Sequence, residues 1–235
     1  MNIQNMTKQR KPMIKIYEEL EQGTPEWLQA RCGLLTASAM NLILTPTCKV
    51  ANNDKSRAHV FEIAAQRITQ YVEPVFVSND MLRGQVDEID SRQLYSERIA
   101  PVREVGFIVN DKWDFEIGYS PDGLVGEAGL IECKSRRQKH QFKTIAEREV
   151  PEEYWLQLQT GLLVSEREWI DFISFCGGMP MFVHRVYPDS VIQAAILAAA
   201  DAFYQNVNRL TVQYNTNAGQ YIETVRRIES EEILL

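Results

Sequence analysis

The period of the apolar pattern changes near residue 100, and this change constrains the fold. After it come five short segments, rich in β-branched and aromatic residues and separated by turn residues: VREVGFIV, FEIGYS, GLIECKS, WIDFISFC and MFVHRVY. A helical pattern, PEEYWLQLQTGLLVS, separates the third segment from the fourth, and a long one, DSVIQAAILAAADAFYQNVNRL, follows the last. We therefore predict an α/β fold built around a central sheet.

Helix-start residues indicate four helices ahead of these strands. In GTPEWLQARCG, Thr24 fits an N-cap, Pro25 the first helical position and Gly33 the stop. TASAMNLIL begins with two further capping residues, Thr36 and Ser38, before an apolar run. SRAHVFEIAAQRITQYV and SNDMLRGQVDEIDSRQLYSER predict two more helices, the second with apolar residues at helical spacing.

Length and composition favour one globular unit. The chain has 235 residues, 45% of them hydrophobic, and no linker divides it, so we predict a single domain over 1–235 with a flexible arm over 1–15. The four cysteines form no C-x-x-C pair, which predicts neither a disulfide framework nor a zinc site and fits a reducing cytoplasm. The N-terminal region lacks the apolar core of a signal peptide, and no run is long enough for a membrane span.

The charge distribution allows a local site for a polyanion. A net charge of −7 argues against a surface coated with DNA-binding residues, but net charge does not decide what one cleft binds. The densest basic stretch, KSRRQKHQFK, spans residues 134–143 and directly follows the third predicted strand. This basic stretch either contacts nucleic acid or forms a solvated charged helix.

The segment SPDGLVGEAGLIECKS, residues 120–135, carries the strongest indication of chemistry. Pro-Asp-Gly alone is a common turn signal, but side chains alternate along LIECKS, so Glu132 and Lys134 share one face. Asp122 precedes Glu132 by ten residues (132 − 122), which a turn and a strand can close. Two carboxylates with open positions are a usual Mg²⁺ site, and Lys134 could orient and help deprotonate a water. The pattern predicts phosphodiester hydrolysis.

Four blocks in the same order resemble the lambda exonuclease and YqaJ-type viral recombinase family of the PD-(D/E)xK nuclease superfamily. The blocks are EWLQARCGLLTAS, RGQVDEIDSR, SPDGLVG with GLIECKS, and YWLQLQTGLLVSEREWIDFISF, and the resemblance covers roughly residues 24–186. It implies a restriction-endonuclease-like core, in which a central mixed β-sheet is flanked by helices. It also implies a bacterial host and a phage or prophage origin.

The resemblance assigns roles to residues of this chain. Asp122 and Glu132 would be metal ligands, with the backbone carbonyl of Cys133 as a third, and Lys134 would position the nucleophilic water. Glu88 would add a carboxylate for a second metal or its water; otherwise it lies on a solvated helix face. The implied cofactor is Mg²⁺, two ions in the site, with Mn²⁺ as an alternative.

Further residues are assigned to DNA and to closing the site. Gln157 would close the site from the following helix, unless it too is solvated. The residues implied to hold the 5′-phosphate or the duplex are Arg31, Thr36, Ser38, Arg136 and Arg137. Without the resemblance, Arg31 would only compensate the C-terminus of its own helix and Ser38 would only be an N-cap. An additional acid of the family corresponds to Asp111 or Asp114.

These assignments predict a metal-dependent 5′→3′ exonuclease that degrades one strand of linear double-stranded DNA and leaves a 3′ overhang for recombination. The resemblance implies a toroidal homotrimer and a single-strand annealing protein as partner. The alternatives are an endonuclease or iron–sulfur enzyme of the same superfamily, and a non-catalytic module that binds DNA ends. The cysteines lack cluster spacing, and the three histidines show no H-E-x-x-H arrangement for a zinc hydrolase.

Overall fold

A computed structural model describes residues 13–74 and 77–226 and shows a mixed α/β fold. Its strands are β1 Ile14–Tyr17, β2 Leu35–Thr36, β3 Phe107–Asn110, β4 Ile117–Tyr119, β5 Gly123–Val125, β6 Gly129–Ser135, β7 Trp169–Phe175 and β8 Phe182–Val186. Its helices are α1 Pro25–Arg31, α2 Met40–Ile43, α3 Asp54–Thr69, α4 Asn79–Arg98, α5 Gln138–Glu147, α6 Glu152–Ser165 and α7 Ser190–Ala218. A 3₁₀ turn, Ala37–Ala39, precedes α2.

The strands form two four-stranded sheets rather than the one central sheet that the sequence predicted. The first has the order β1-β3-β4-β2 and the second β5-β6-β7-β8, and each contains one parallel pair, β2 with β4 and β6 with β7. The chain leaves the first sheet after β4 and enters the second at β5, through Ser120, Pro121 and Asp122. Because proline has no N–H to donate, this segment ends the pairing of the first sheet. The α/β class, with mixed sheets flanked by helices, is confirmed.

Two helices cover the two faces of the β6–β7 pair. Residues 131, 133 and 173 face α4, where they pack with Tyr95 and Val125. Leu130, Ile170 and Phe172 alternate with them and belong to the larger core, which also holds the buried apolar residues of α6. This alternation places the side chains of Glu132 and Lys134 on the α6 side of β6.

Strand β1 shortens the predicted arm. Residues 1–12 lie outside the described residues, but Ile14 and Lys15 pair with Asn110 and Val109 of β3. The arm predicted over 1–15 is therefore too long at its end, because the alternating apolar positions of IKIY supply a strand for the free edge of β3. Among the helices of the described residues, none is both long and apolar enough to cross a bilayer.

Candidate functional site

Glu132 lies at the centre of a hydrogen-bonded cluster between β6 and α6. Its side chain is buried, and its Oε1 accepts from Lys134 Nζ at 2.6 Å and from Gln157 Nε2 at 2.5 Å. Its Oε2 accepts from the hydroxyl of Tyr119, at the end of β4, at 2.9 Å. Three elements therefore fix the orientation of one carboxylate. Of the predicted site residues, this contact brings Glu132, Lys134 and Gln157 together.

Asp122 is held beside this cluster by the backbone of β6. Its Oδ2 accepts the N–H of Cys133 at 2.5 Å, and the side chain is buried. The N–H and the carbonyl of a strand residue point to the same side of the strand, so the Cys133 carbonyl also faces Asp122, beyond the end of β5. Burial, followed by the neighbouring carboxylates of Glu132 and Glu88, raises the pKa of Asp122 well above its usual range.

Glu88 reaches the cluster from α4. Its Oε1 accepts from Arg92 at 2.8 Å, and the same guanidinium donates to the backbone carbonyl of Asp122 at 3.3 Å and to Glu104 at 2.9 Å. Burial and the neighbouring Glu132 raise the pKa of Glu88, against the lowering effect of Arg92. Glu88 is thus a partly buried member of the acid cluster and not a solvated residue of the helix surface.

Lys134 is a protonated donor in this environment. Burial alone would lower the pKa of its ammonium, but the carboxylates of Glu132 and Asp122 outweigh burial and raise the pKa above its ordinary value. A partly buried ammonium with two acidic neighbours can donate to a water or to a phosphate oxygen. It cannot accept a proton while it keeps this charge.

The donor set of the cluster fits a hard divalent cation. Among the described residues, no group of three or more histidine, cysteine, aspartate or glutamate side chains is arranged around one point as metal ligands. Protein donors bind the carboxylates of Asp122, Glu132 and Glu88 instead. Burial first, and then the neighbouring carboxylates, raise the pKa of Asp122 and of Glu88, and a bound cation would favour their ionised forms. Carboxylate and carbonyl oxygens suit Mg²⁺ or Mn²⁺.

Arg31 forms a second cationic position, in contact with the segment that leads from β4 to Asp122. Its Nη1 donates to Ser120 Oγ at 2.8 Å, two residues before Asp122, and its guanidinium stacks on the ring of Trp27 at 4.1 Å. Within the described part of the chain, no carboxylate forms an ion pair with Arg31. Burial lowers its pKa to about 10. A partly buried arginine that has no acidic partner in the described part of the chain suits an anion.

Thr36 is the last residue of β2, and Ser38 lies in the 3₁₀ turn that follows it. Thr36 pairs with Gly118 of the parallel strand β4, so both strands lead toward Ser120 and Asp122. Neither hydroxyl caps a helix, since the 3₁₀ turn has no side-chain cap and Ser38 lies within it. The prediction that they are capping residues is wrong; instead the two hydroxyls lie 3.3 Å apart, and Ser38 is exposed.

The two arginines after β6 have different surroundings. Arg136 packs under α6, where it bonds Glu153 and the hydroxyl of Tyr154. Arg137 is exposed at the N-terminus of α5 and pairs with Asp80 of α4 at 2.8 Å. The structure therefore places Arg136 beside the cluster and Arg137 at its outer rim.

The additional family acid is not found at the cluster. Asp111 and Asp114, the two predicted candidates, lie in the turn between β3 and β4, at the beginning of β4, whereas Asp122 follows the end of β4. Asp111 accepts the N–H of Met13, and Asp114 adopts a left-handed backbone with φ of 63°. Both residues therefore lie in the β3–β4 turn, at the opposite end of β4 from Asp122.

Sequence reasoning missed two residues of the cluster. Tyr119 was read only as part of a strand, although its alternation with Ile117 shows that it shares the buried face. Arg92 has no sequence signal beyond its position four residues after Glu88, which places both on one face of a helix. Both residues act by holding the carboxylates in place.

Comparison with known proteins identifies the family. A profile of the YqaJ-like viral recombinase domain matches residues 26–168. This chain belongs to the YqaJ-like viral recombinase family. The matched residues include Arg31 and the whole acid cluster. A search of curated proteins gave no match.

Solved structures similar to this YqaJ-family chain include exonucleases. An alkaline exonuclease from Laribacter hongkongensis is 29% identical with a TM-score of 0.74, over 84% of this chain and 99% of the other. The structure of the same exonuclease in complex with dAMP is 30% identical to this chain with a TM-score of 0.75, again over 84% of this chain and 99% of the other. A phage-related exonuclease from Haemophilus somnus 129PT shares the fold at 15% identity, with a TM-score of 0.54 over 77% and 96% of the chains. The fold is of the PD-(D/E)xK type.

Replacing Tyr119 by Phe is expected to destabilise the protein by about 1–3 kcal/mol, because a buried carboxylate oxygen of Glu132 then lacks its donor. Urea denaturation monitored by circular dichroism measures this difference. The matched control is Tyr214→Phe, which removes a hydroxyl from a side chain that is 54% exposed and is expected to change stability by less than about 0.5 kcal/mol. Equal stability of the two variants would show that the Tyr119 hydroxyl does not hold Glu132.

Proposed function

We propose that this YqaJ-family protein is a nuclease, and specifically a metal-dependent 5′→3′ exonuclease. Its substrate would be the 5′-phosphorylated strand of linear double-stranded DNA, and its product a duplex with a 3′ single-stranded overhang for phage-type homologous recombination. One observation carries the proposal: Arg31, which has no acidic partner in the described residues, bonds Ser120, two residues before the buried Asp122. An anion-binding position thus adjoins an acid cluster of nuclease composition.

The residues of the cluster have separable roles in this proposal. Asp122, Glu132 and the carbonyl of Cys133 would hold Mg²⁺, or Mn²⁺ in its place, and Glu88 would serve a second ion or its water. When bound, the metal would lower the pKa of a water and stabilise the charge on the phosphate. Lys134, held as a cation by its acidic neighbours, would orient the attacking water. Gln157 would fix the carboxylate of Glu132 from α6.

The position of Arg31 supports cleavage from a 5′ end. Arginine donors match the geometry of phosphate oxygens. Thr36 and Ser38 lie at and after the end of β2, which runs parallel to β4, the strand that leads to Ser120. A terminal 5′-phosphate held there would place the next phosphodiester toward Asp122. The ring of Trp27 stacks on the guanidinium, and its Nε1 donates to Ser120, so both groups hold Arg31 in this position.

The partners are proposed on the family resemblance. A homotrimeric ring would enclose the duplex, and a single-strand annealing protein would receive the overhang in the cytoplasm of a bacterial host. Light scattering coupled to gel filtration tests the first part. A mass three times that of the 27.1 kDa chain is the expected result, and a monomer at all concentrations would contradict the ring.

Digestion of defined DNA ends tests the function. Linear duplex with a 5′-phosphate on one strand should lose that strand in Mg²⁺, should persist in EDTA, and should be degraded more slowly with 5′-hydroxyl ends. A covalently closed circle should remain intact. Cutting of the circle would identify an endonuclease instead, and no digestion in Mg²⁺ or Mn²⁺ would favour a non-catalytic DNA-end-binding module.

A further inference from the structure

Arg136 is a third basic position of the site, after Lys134 and Arg31, and it lies on the face of β6 that carries Glu132 and Lys134. The N–H of Arg136 donates to Phe175 of β7 at 2.7 Å, which extends the β6–β7 pairing by one residue past Ser135. Because side chains alternate along a strand, Arg136 points to the same side as Glu132 and Lys134, roughly 7 Å beyond Lys134. The acid, the ammonium and the guanidinium thus form a row under α6.

The charged side chain of Arg136 is largely buried. Its side chain is only 9% exposed, its Nη1 donates to Glu153 at 2.7 Å, and its guanidinium lies 5.2 Å from the ring centre of Tyr154. The buried Nε has no hydrogen-bond partner. A guanidinium normally uses its donors in pairs with a carboxylate or a phosphate, and an unmade bond of a buried charged group is costly. This donor set is incomplete without a further acceptor.

Glu153 pairs with Arg136 and is itself exposed to solvent, so this ion pair can open without moving Arg136. Its side chain is 61% exposed, so the carboxylate can return to water at little cost. The hydrogen bond from Arg136 lowers the pKa of Glu153, which keeps this carboxylate ionised at neutral pH. In charge and in oxygen acceptors, the ionised side chain resembles a phosphodiester.

We propose that Arg136 and Tyr154 form a subsite for the phosphodiester next to the scissile one, and that Glu153 occupies this subsite until DNA displaces it. The inference rests on the proposed nuclease function, since it takes Lys134 as the residue at the scissile phosphate. The ligand is the backbone of the cleaved strand, independent of base sequence. Glu153 weakens DNA binding by competing for Arg136, which limits retention of DNA that does not fill the subsite.

A salt titration of DNA binding tests the exchange. When DNA binds to the native protein, the phosphate at Arg136 releases a salt cation, and the displaced Glu153 carboxylate takes one up. The two events offset each other, so this contact adds little to the salt dependence of the DNA-binding constant. In Glu153→Gln the second event is absent. The slope of log K against log salt should steepen by about 0.7–0.9, the value for one phosphate contact, and binding at moderate salt should tighten about two- to fivefold, as expected for a released surface ion pair.

The matched control is Glu152→Gln, which makes the same charge change one residue away, at an exposed glutamate with no contact to Arg136 among the described hydrogen bonds and ion pairs. Fluorescence anisotropy of a labelled duplex with a 5′-phosphate, measured in EDTA at several NaCl concentrations, gives both affinity and slope without cleavage. Identical slopes and affinities for the two variants would overturn the proposal. In an Arg136→Gln background, confirmed as folded by thermal denaturation, Glu153→Gln should give no gain; a persisting gain would also overturn it.

A neutral linkage locates the phosphate. A single methylphosphonate at the second linkage from the 5′ end should abolish the advantage of Glu153→Gln over Glu152→Gln, whereas the same substitution at the far end of the strand should preserve it. An advantage that is insensitive to the second linkage would contradict the assignment. Because these measurements need no metal, they are independent of nuclease activity. Failure of the wild-type protein to digest DNA would contradict the proposed function alone.

Discussion

Asp122→Asn is expected to lower Mg²⁺-dependent cleavage of linear duplex DNA by about 10³-fold or more, because it removes a charged oxygen from the proposed metal site. The amide oxygen can still accept the N–H of Cys133, so the local backbone should be retained. Single-turnover digestion of 5′-phosphorylated duplex measures the loss. Cleavage within about tenfold of wild type by the folded variant would remove Asp122 from the catalytic set.

The same substitution should stabilise the protein in EDTA. Burial and neighbouring acids raise the pKa of Asp122 above its ordinary value of 3.8, so the folded state favours the neutral form. Stability contributed by this group is present at low pH and is lost as the pH rises through the folded-state pKa. The melting temperature of Asp122→Asn should therefore match that of wild type near pH 4 and exceed it increasingly toward neutral pH.

Metal addition should reverse that order. A cation bound to the native fold stabilises it by mass action, so Mg²⁺ or Mn²⁺ should raise the melting temperature of wild type and have a much smaller effect on Asp122→Asn. Thermal denaturation with EDTA and with excess metal gives this readout without any substrate. A metal-induced shift of equal size in both proteins would place the ion elsewhere.

The part of the site that follows from local sequence is the part built on one strand. Alternation along LIECKS puts Glu132 and Lys134 on one face, and the 2.6 Å bond between them agrees with this. The capping chemistry of Thr24 likewise predicts where α1 begins, because its hydroxyl accepts the N–H of Trp27. In both cases the pattern and its consequence lie within a few residues of each other.

The remainder depends on contacts between distant segments. The hydroxyl of Tyr119 meets Glu132 only because α6 and the end of β4 close on β6, and no local pattern encodes that contact. The division into two sheets occurs between β4 and β5, at Pro121, and a sequence pattern shows this proline only as part of a turn. The isolation of Arg31 from carboxylates is a property of the packed structure, because several acids are close in sequence.

Arg31→Ala is the second substitution with a large expected effect, and its effect should depend on the DNA end. Truncating one partner of a buried charged pair costs about 2–5 kcal/mol, so the rate on 5′-phosphorylated ends should fall by about 30-fold or more. DNA with a 5′-hydroxyl offers no terminal phosphate to Arg31, and its slower digestion should change little. The preference for phosphorylated ends should therefore collapse in the variant.

Two features make this experiment decisive. The pKa of Arg31 is lowered by burial to about 10, and no carboxylate pairs with it in the described residues, so its removal leaves no buried acid unpaired. The variant should consequently fold, but it loses the hydrogen bond to Ser120 and the stacking on Trp27, so it should melt slightly below wild type in EDTA. Arg57→Ala, which removes an exposed arginine paired with Asp54, is the control and should retain the end preference.

The direction of digestion depends on that preference. Asp122 and Arg31 are joined through Ser120 by one short segment and one 2.8 Å hydrogen bond, so the anion position and the acid cluster cannot move far apart. If Arg31 binds the terminal phosphate, the strand enters the cluster from its 5′ end. Equal loss of activity on phosphorylated and hydroxyl ends would mean that Arg31 serves the fold or the duplex, and the proposed 5′→3′ polarity would lose its structural basis.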